Sequence, residues 1–191
     1  MFLVHAGNRI DLANRSVARF PASRVPALRA TVGRLLDALQ PSAVVSVAAA
    51  GADLIVLDEA IQRGVDAHVV LPIAMVEFVK QSVVDAGPEW VGMFDSVLRH
   101  VCSDNRCSVV QGHDDPTAEW YRVAHDQLIR RGEEVAGGQT IVALTIRPPE
   151  GEHPPSVTDD FAARAEQLGW LELCIDPRPA SGASGAAVIV S

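Results

Sequence analysis

The chain has 191 residues, 48% hydrophobic and 21% charged, with a formal net charge of −8. That length suits one domain, which at this size buries roughly 70% of its extended-chain surface and needs no disulfide or metal to fold. The acidic balance argues against a nucleic-acid surface as the main business, since such domains are usually basic. Three cysteines, Cys102, Cys107 and Cys174, and first residues without a basic start or a long apolar run predict a reducing, cytoplasmic setting. The longest apolar region, residues 43–57, is interrupted by Asp53 and too short to span a bilayer, so no membrane role is expected.

Phe2, Leu3 and Val4 read as a buried strand, with His5-Ala6-Gly7-Asn8-Arg9 as the turn after it. Residues 11–24 are irregular, punctuated by Asn14, Ser16 and Pro21, and connections this long in compact domains are often functional. Pro26 opens a helix whose Leu28, Val32, Leu35, Leu36 and Leu39 fall at helical spacing, and Pro41 ends it.

Residues 43–72 form the most informative stretch. A small and β-branched run at 43–47 predicts a strand covered on both faces. Ala48-Ala49-Ala50-Gly51 gives the backbone room to turn, and Asp53 sits in the first turn of the next helix, where a carboxylate favours the dipole. Leu54, Leu57 and Ile61 make that helix's apolar stripe; Asp58 borders the stripe and Glu59 is expected on the opposite, wet face. Gly64 closes the helix, and residues 67–71 are the next strand, stopped by Pro72.

Two helices are predicted over 75–84 and 90–101, split by Gly87-Pro88. A short strand at 107–110 leads to a turn at Gly112-His113-Asp114-Asp115-Pro116, then a long amphipathic helix over 117–135 with Trp120, Val123, Leu128 and Ile129 as core candidates. Residues 140–146 make the clearest strand. A proline-rich loop follows, then a helix capped by Ser156 or Thr158 that carries Phe161, Ala165 and Leu168, and a strand over 170–175. Residues 178–191 form a Gly/Ala/Ser-rich tail, read as a linker or, at 187–190, an edge strand. About six strands alternating with helices predict an α/β domain over 1–177, a single mostly parallel sheet wrapped by helices on both faces. Such sheets bind ligands beyond the carboxyl ends of their strands, where the strand order reverses.

Four loops reach that edge. The turn Ala48–Asp53 is one candidate, because a helix N-terminus offers unpaired N–H groups and partial positive charge to phosphate. A tight packing turn explains it too, and Asp53 weakens an anion site unless its side chain turns away or binds a ribose hydroxyl. In Gly7-Asn8-Arg9 the arginine suits a bidentate phosphate contact, or lies in an ordinary surface turn. His113-Asp114-Asp115 fits acid–base work, or helix capping by Asp115. In the last loop Arg147 is a second phosphate-holding candidate. His100, Cys102, Cys107 and His113 suit zinc by type, but their spacing matches no common module, and ordinary thiols are the better reading. Neither GxGxxG nor GxxxxGK[ST] is present, so no nicotinamide, nucleoside-triphosphatase or other cofactor is expected. No catalytic set is recognisable.

The segments GADLIVLDEAIQRGVDAHVVLP, EFVKQSV and GPEWVGMFDSVL resemble the SLOG superfamily, Rossmann-like domains related to the LONELY GUY phosphoribohydrolases and the DNA-processing protein A fold. The likeness is to a bacterial branch found beside signalling and defence modules. It is most specific over 47–84, at Gly51-Ala52-Asp53, Leu71-Pro72, Glu77-Phe78 and Ser82, and weaker through Tyr121, 140–144 and Thr158 to Ile175-Asp176-Pro177. The resemblance implies a nucleotide-derived ligand at the sheet edge, held by Gly7, Asn8, Arg9, Ala49, Ala50, Gly51, Asp53, Arg147 and Thr158, with no metal, and by analogy a homodimer and an effector protein module as partner. The LONELY GUY PGGxGT motif is missing; Gly137-Gly138-Gln139-Thr140 precedes a strand instead of following one. A nucleotide-sensing module is therefore expected, with an N-glycosidic hydrolase of nucleoside monophosphates, or an interaction scaffold with a vestigial site, as the alternatives.

Overall fold

A computed structural model describes residues 1–13, 15–110, 118–149, 151–153, 155–178 and 187–190, with backbone alone for 118–121 and 187–190. In chain order the elements are β1 (Phe2–Gly7), α1 (Val25–Leu39), β2 (Ala43–Ser46), α2 (Ala52–Gln62), β3 (Asp66–Leu71), α3 (Met75–Ser82), α4 (Pro88–Ser103), β4 (Cys107–Val109), α5 (Ala118–Ala136), β5 (Ile141–Ile146), α6 (Val157–Gln167), β6 (Leu171–Asp176) and β7 (Ala187–Val190).

The strands form one sheet in the order β4-β3-β2-β1-β5-β6-β7. The first six are parallel, and β7 closes the edge antiparallel to β6. This is a Rossmann-like α/β domain. The chain steps outward from β1 to β4, then returns to the other side of β1, so the order reverses between β1 and β5. That is where such sheets open a crevice at their carboxyl ends.

β1 lies at the centre and is buried on both faces, as its unbroken apolar start predicts. Side chains alternate across a strand. His5 and Gly7 thus share the face that meets α2: a Cβ on Gly7 would fall 2.4 Å from that of Ala52. Val4 and Ala6 share the other, where Gly132 lets α5 come close, since a Cβ there would sit 2.4 Å from Val4 Cγ2. Helices α2 and α5 touch the same three strands, β1, β2 and β3, from opposite sides; α1 and α4 flank α2, and α6 flanks α5.

Local signals place most boundaries. Pro88 occupies the first turn of α4 after Gly87, and Ser156, not Thr158, precedes α6. Glu59 departs from expectation. It is buried, because α2 is wedged between α1 and α4 and has little wet face; Arg29 Nη1 and Arg63 Nη1 donate to its two oxygens at 2.8 and 2.7 Å. Asp58, at the half-buried margin, also takes Arg29, at 2.7 Å. The His113-Asp114-Asp115 turn and the Trp120 side chain lie outside the described residues.

Candidate functional site

After Gly7 the chain does not leave the sheet edge at once. Arg9 forms an antiparallel bridge with Gly51, Ile10 N–H donates to the Ala50 carbonyl at 2.9 Å, and Ala52 N–H donates to the Asn8 carbonyl at 3.1 Å. Gly51 has φ of +133°, and a Cβ there would lie 2.4 Å from the Ile10 nitrogen and 2.7 Å from the Asn8 oxygen. Glycine is required because one loop crosses directly over the other.

This arrangement takes up part of the predicted phosphate turn at 48–53. Ala50 N–H is given to the Ser82 carbonyl at 2.9 Å, and Ala52 N–H to Asn8. The Asp53 carboxylate accepts Gly7 N–H at 3.1 Å and also the Ala49 N–H. The Asn8 carbonyl thus takes one N–H of the α2 N-terminus, while the Asp53 carboxylate takes N–H groups from β1 and the preceding turn. Ala50 and Gly51 line no part of the neighbouring cavity; Ala49 and Asp53 do.

That cavity, about 300 Å³, opens at the switch between β1 and β5. Its floor is the end of β1 and the following Asn8. Asn8 is buried, and its Nδ2 has no acceptor among the described residues. One wall is the first turn of α6, with Ser156, Val157 and Thr158. Ser156 N–H and hydroxyl both donate to Asp159 Oδ2 at 2.7 Å, which fixes the start of the helix. Helical geometry leaves the N–H groups of Val157 and Thr158 without intrahelical acceptors at this wall. Thr158 is buried.

The mouth carries three arginines: Arg9, Arg15 and Arg19. Asp11 organises the loop that presents two of them. Its Oδ2 accepts the Arg19 and Phe20 N–H groups at 2.9 Å each, and its Oδ1 faces Arg15 Nε at 3.1 Å. Arg9 donates from Nη1 to the Gln81 carbonyl at 3.2 Å and pairs with Asp85. Arg147, predicted to hold phosphate, does not line the cavity. It is buried under α6 between Asp159 Oδ1 and Glu172 Oε1, each 3.2 Å away, and works as a strut between β5, β6 and the α6 turn.

Two histidines complete the site. His125, from α5, lines the cavity and packs edge-on against Phe161, ring centroids 5.5 Å apart. Burial pushes its pKa down to about 4 against the opposing pull of Asp160 and Asp126, so the ring is neutral near pH 7. Its Nδ1 has no partner among the described residues. His5 lies fully buried behind the floor. Its Nδ1 donates to the Leu144 carbonyl at 2.8 Å, and its Nε2 is 3.3 Å from Asp53 Oδ1. Burial raises the pKa of Asp53, against hydrogen bonds from His5, Ala49 and Gly7.

Sequence reasoning thus missed Arg15, Arg19, His125 and His5. The available signals were two arginines in an overlong loop and the period-two alignment of His5 with Gly7 in β1. Of the cysteine–histidine array, His113 lies outside the described residues; among the described residues no group of His, Cys, Asp or Glu is arranged to hold a metal. Burial and the neighbouring Cys102 thiol push Cys107 up to about 12. Among the described residues no helix is long and apolar enough to cross a membrane. No protein-family model matches the chain, and no curated protein matches it.

Proposed function

We propose that this domain binds or senses a phosphate-bearing, nucleotide-derived ligand in the cavity between β1 and β5, as the ligand-reading module of a bacterial signalling or defence system. The resemblance to SLOG domains supports the biological setting. The observation that carries the ligand class is a convergence: the first turn of α6, the mouth arginines and the unpartnered Asn8 amide meet in one cavity. A helix N-terminus and arginine favour phosphate, and a buried amide donor calls for an acceptor. The anion-binding helix in this reading is α6, since its first turn lines the cavity, whereas Gly51 and Ala52 at the start of α2 do not.

Titration with a panel of nucleotides and cyclic oligonucleotides should give at least one ligand binding below about 100 μM, roughly −5.5 kcal/mol. Arg15→Ala combined with Arg19→Ala should weaken that ligand about tenfold or more. A panel without binding would remove the proposal in favour of a scaffold with a vestigial site. One observation favours the N-glycosidic hydrolase as second reading: a buried carboxyl, Asp53, faces the cavity with a raised pKa, as a general acid or base requires. Incubation with nucleoside monophosphates should then release free base, and Asp53→Asn should abolish the release.

A further inference from the structure

His5 and Asp53 meet in a way that fixes the position of one proton. Leu144 offers His5 Nδ1 a carbonyl, which only accepts, so Nδ1 carries hydrogen and donates at 2.8 Å. Nε2 then faces Asp53 Oδ1 at 3.3 Å with both residues buried. No proton between them would set two lone pairs against each other, and two would set N–H against O–H. One proton satisfies both atoms. Around the carboxyl, Gly7 N–H supplies a second hydrogen bond and Ala49 N–H a third. A carboxylate has about four acceptor positions. The remaining one belongs to a group that lines the cavity.

We propose that the His5–Asp53 pair is the cavity's hydroxyl-recognition site: Asp53 accepts a hydrogen bond from a sugar hydroxyl of the ligand, and His5 is the positioning residue that holds the carboxylate in its accepting form. The inference rests on the reading of the cavity as a phosphate-ligand site and adds the sugar, a ribose rather than a deoxyribose. It also orients the ligand. A carboxylate repels phosphate, so the phosphate goes to the α6 turn and the mouth arginines, and the hydroxyl to the floor.

Other charged groups do not take this role. Arg9, Arg15 and Arg19 reach the cavity from the loop after β1 and have only donors. From α6, Asp159 is held by Ser156 and Arg147. From α2, Asp58 and Glu59 are engaged with Arg29 and Arg63. From α5, His125 stays neutral down to about 4.

The test compares ribose 5-phosphate, 2-deoxyribose 5-phosphate and inorganic phosphate by amide chemical-shift titration of the whole chain, between about pH 5 and pH 8, where His125 does not change charge. Ribose 5-phosphate should bind about fivefold or more tightly than its 2-deoxy analogue, the loss of one hydrogen bond, and Asp53→Asn should bring the two within about twofold. Equal binding of the two sugars by the wild-type chain would overturn the inference while leaving the phosphate site intact. Failure of all three to bind would overturn both. For His5, the carboxyl carbon resonance of Asp53 should titrate at higher pH in His5→Phe, because a hydrogen bond favouring the charged carboxylate is gone; an unchanged midpoint would refute the positioning role. Should His5→Phe fail to fold, the wild-type sugar comparison decides alone.

Discussion

Replacing Gly7 with alanine places a methyl carbon 2.4 Å from the Ala52 Cβ, at the junction where β1, α2 and the cavity floor meet. Carbon atoms in contact sit about 3.5–4.0 Å apart, so the overlap exceeds an ångström and one element must move. Overpacking of this kind costs about 1–3 kcal/mol. The upper end applies here, because parting β1 from α2 also stretches Gly7 N–H to Asp53 and Ala52 N–H to Asn8, both 3.1 Å. Ala52→Gly alone should cost about 1 kcal/mol in helix propensity. Together the two changes remove the overlap, leaving only the milder approach of the new methyl to the His5 ring at 3.0 Å. The double variant should then be about 2 kcal/mol more stable than the sum of the single effects. At a urea slope of about 2–3 kcal/mol/M this is a midpoint difference of roughly 0.7–1 M, easily read by circular dichroism. Additive effects would show that this contact does not set the spacing of β1 and α2. Gly51 provides the contrast. Its neighbours are backbone atoms of Asn8, Arg9 and Ile10, and its φ is +133°, so Gly51→Ala should cost at least about 3 kcal/mol, with no single side chain whose trimming restores it.

The remaining predictions concern charges. His125 has a folded pKa of about 4 against an ordinary 6.5, so the folded state holds fewer protons between those values and stability falls as pH drops through that window. At about 1.4 kcal/mol per unit the loss is at most on the order of 3 kcal/mol, and urea midpoints for His125→Gln should lose this acid-side slope. Arg147→Met should destabilise by about 3 kcal/mol, since it leaves Asp159 and Glu172 without their cation, and should weaken phosphate binding through a loosened α6 turn. A midpoint shift with unchanged phosphate affinity would confine Arg147 to stability.

Much of the architecture follows from local pattern. Runs of small and β-branched residues such as 43–47 predict strands covered on both faces, and that is how β1, β2 and β5 lie. The tail's last residues do form an edge strand, antiparallel to β6. Side chains whose setting depends on a second element were harder to read. The helical wheel puts Glu59 in water only if α2 has one wet face, but Leu54, Ile55, Val56 and Leu57 are all fully buried and the helix is enclosed. Gly7, Asn8, Arg9, Ala49, Asp53 and Thr158 line the cavity. Arg15 and Arg19 escaped because their direction is set by hydrogen bonds to Asp11 that no periodicity encodes.

Composition and placement rank the two helix N-termini differently. By composition α2 is the better phosphate helix, with a run of alanines and a glycine before it. α6 begins with Asp159 and Asp160 in its first turn, which reads as the poorer one. Their placement is the opposite: the first turn of α6 lines the cavity, and Gly51 and Ala52 do not. The acidic residue of α2 turns back to the N–H groups of Gly7 and Ala49, and the loop after β1 takes the Ala52 N–H. Asp159 is drawn the other way, tied to Ser156 and to the buried guanidinium of Arg147, which offsets its charge. A carboxylate in a first turn therefore decides little by its presence. What matters is whether a cation or a cap pulls it off the helix axis, and Arg147 does this for α6.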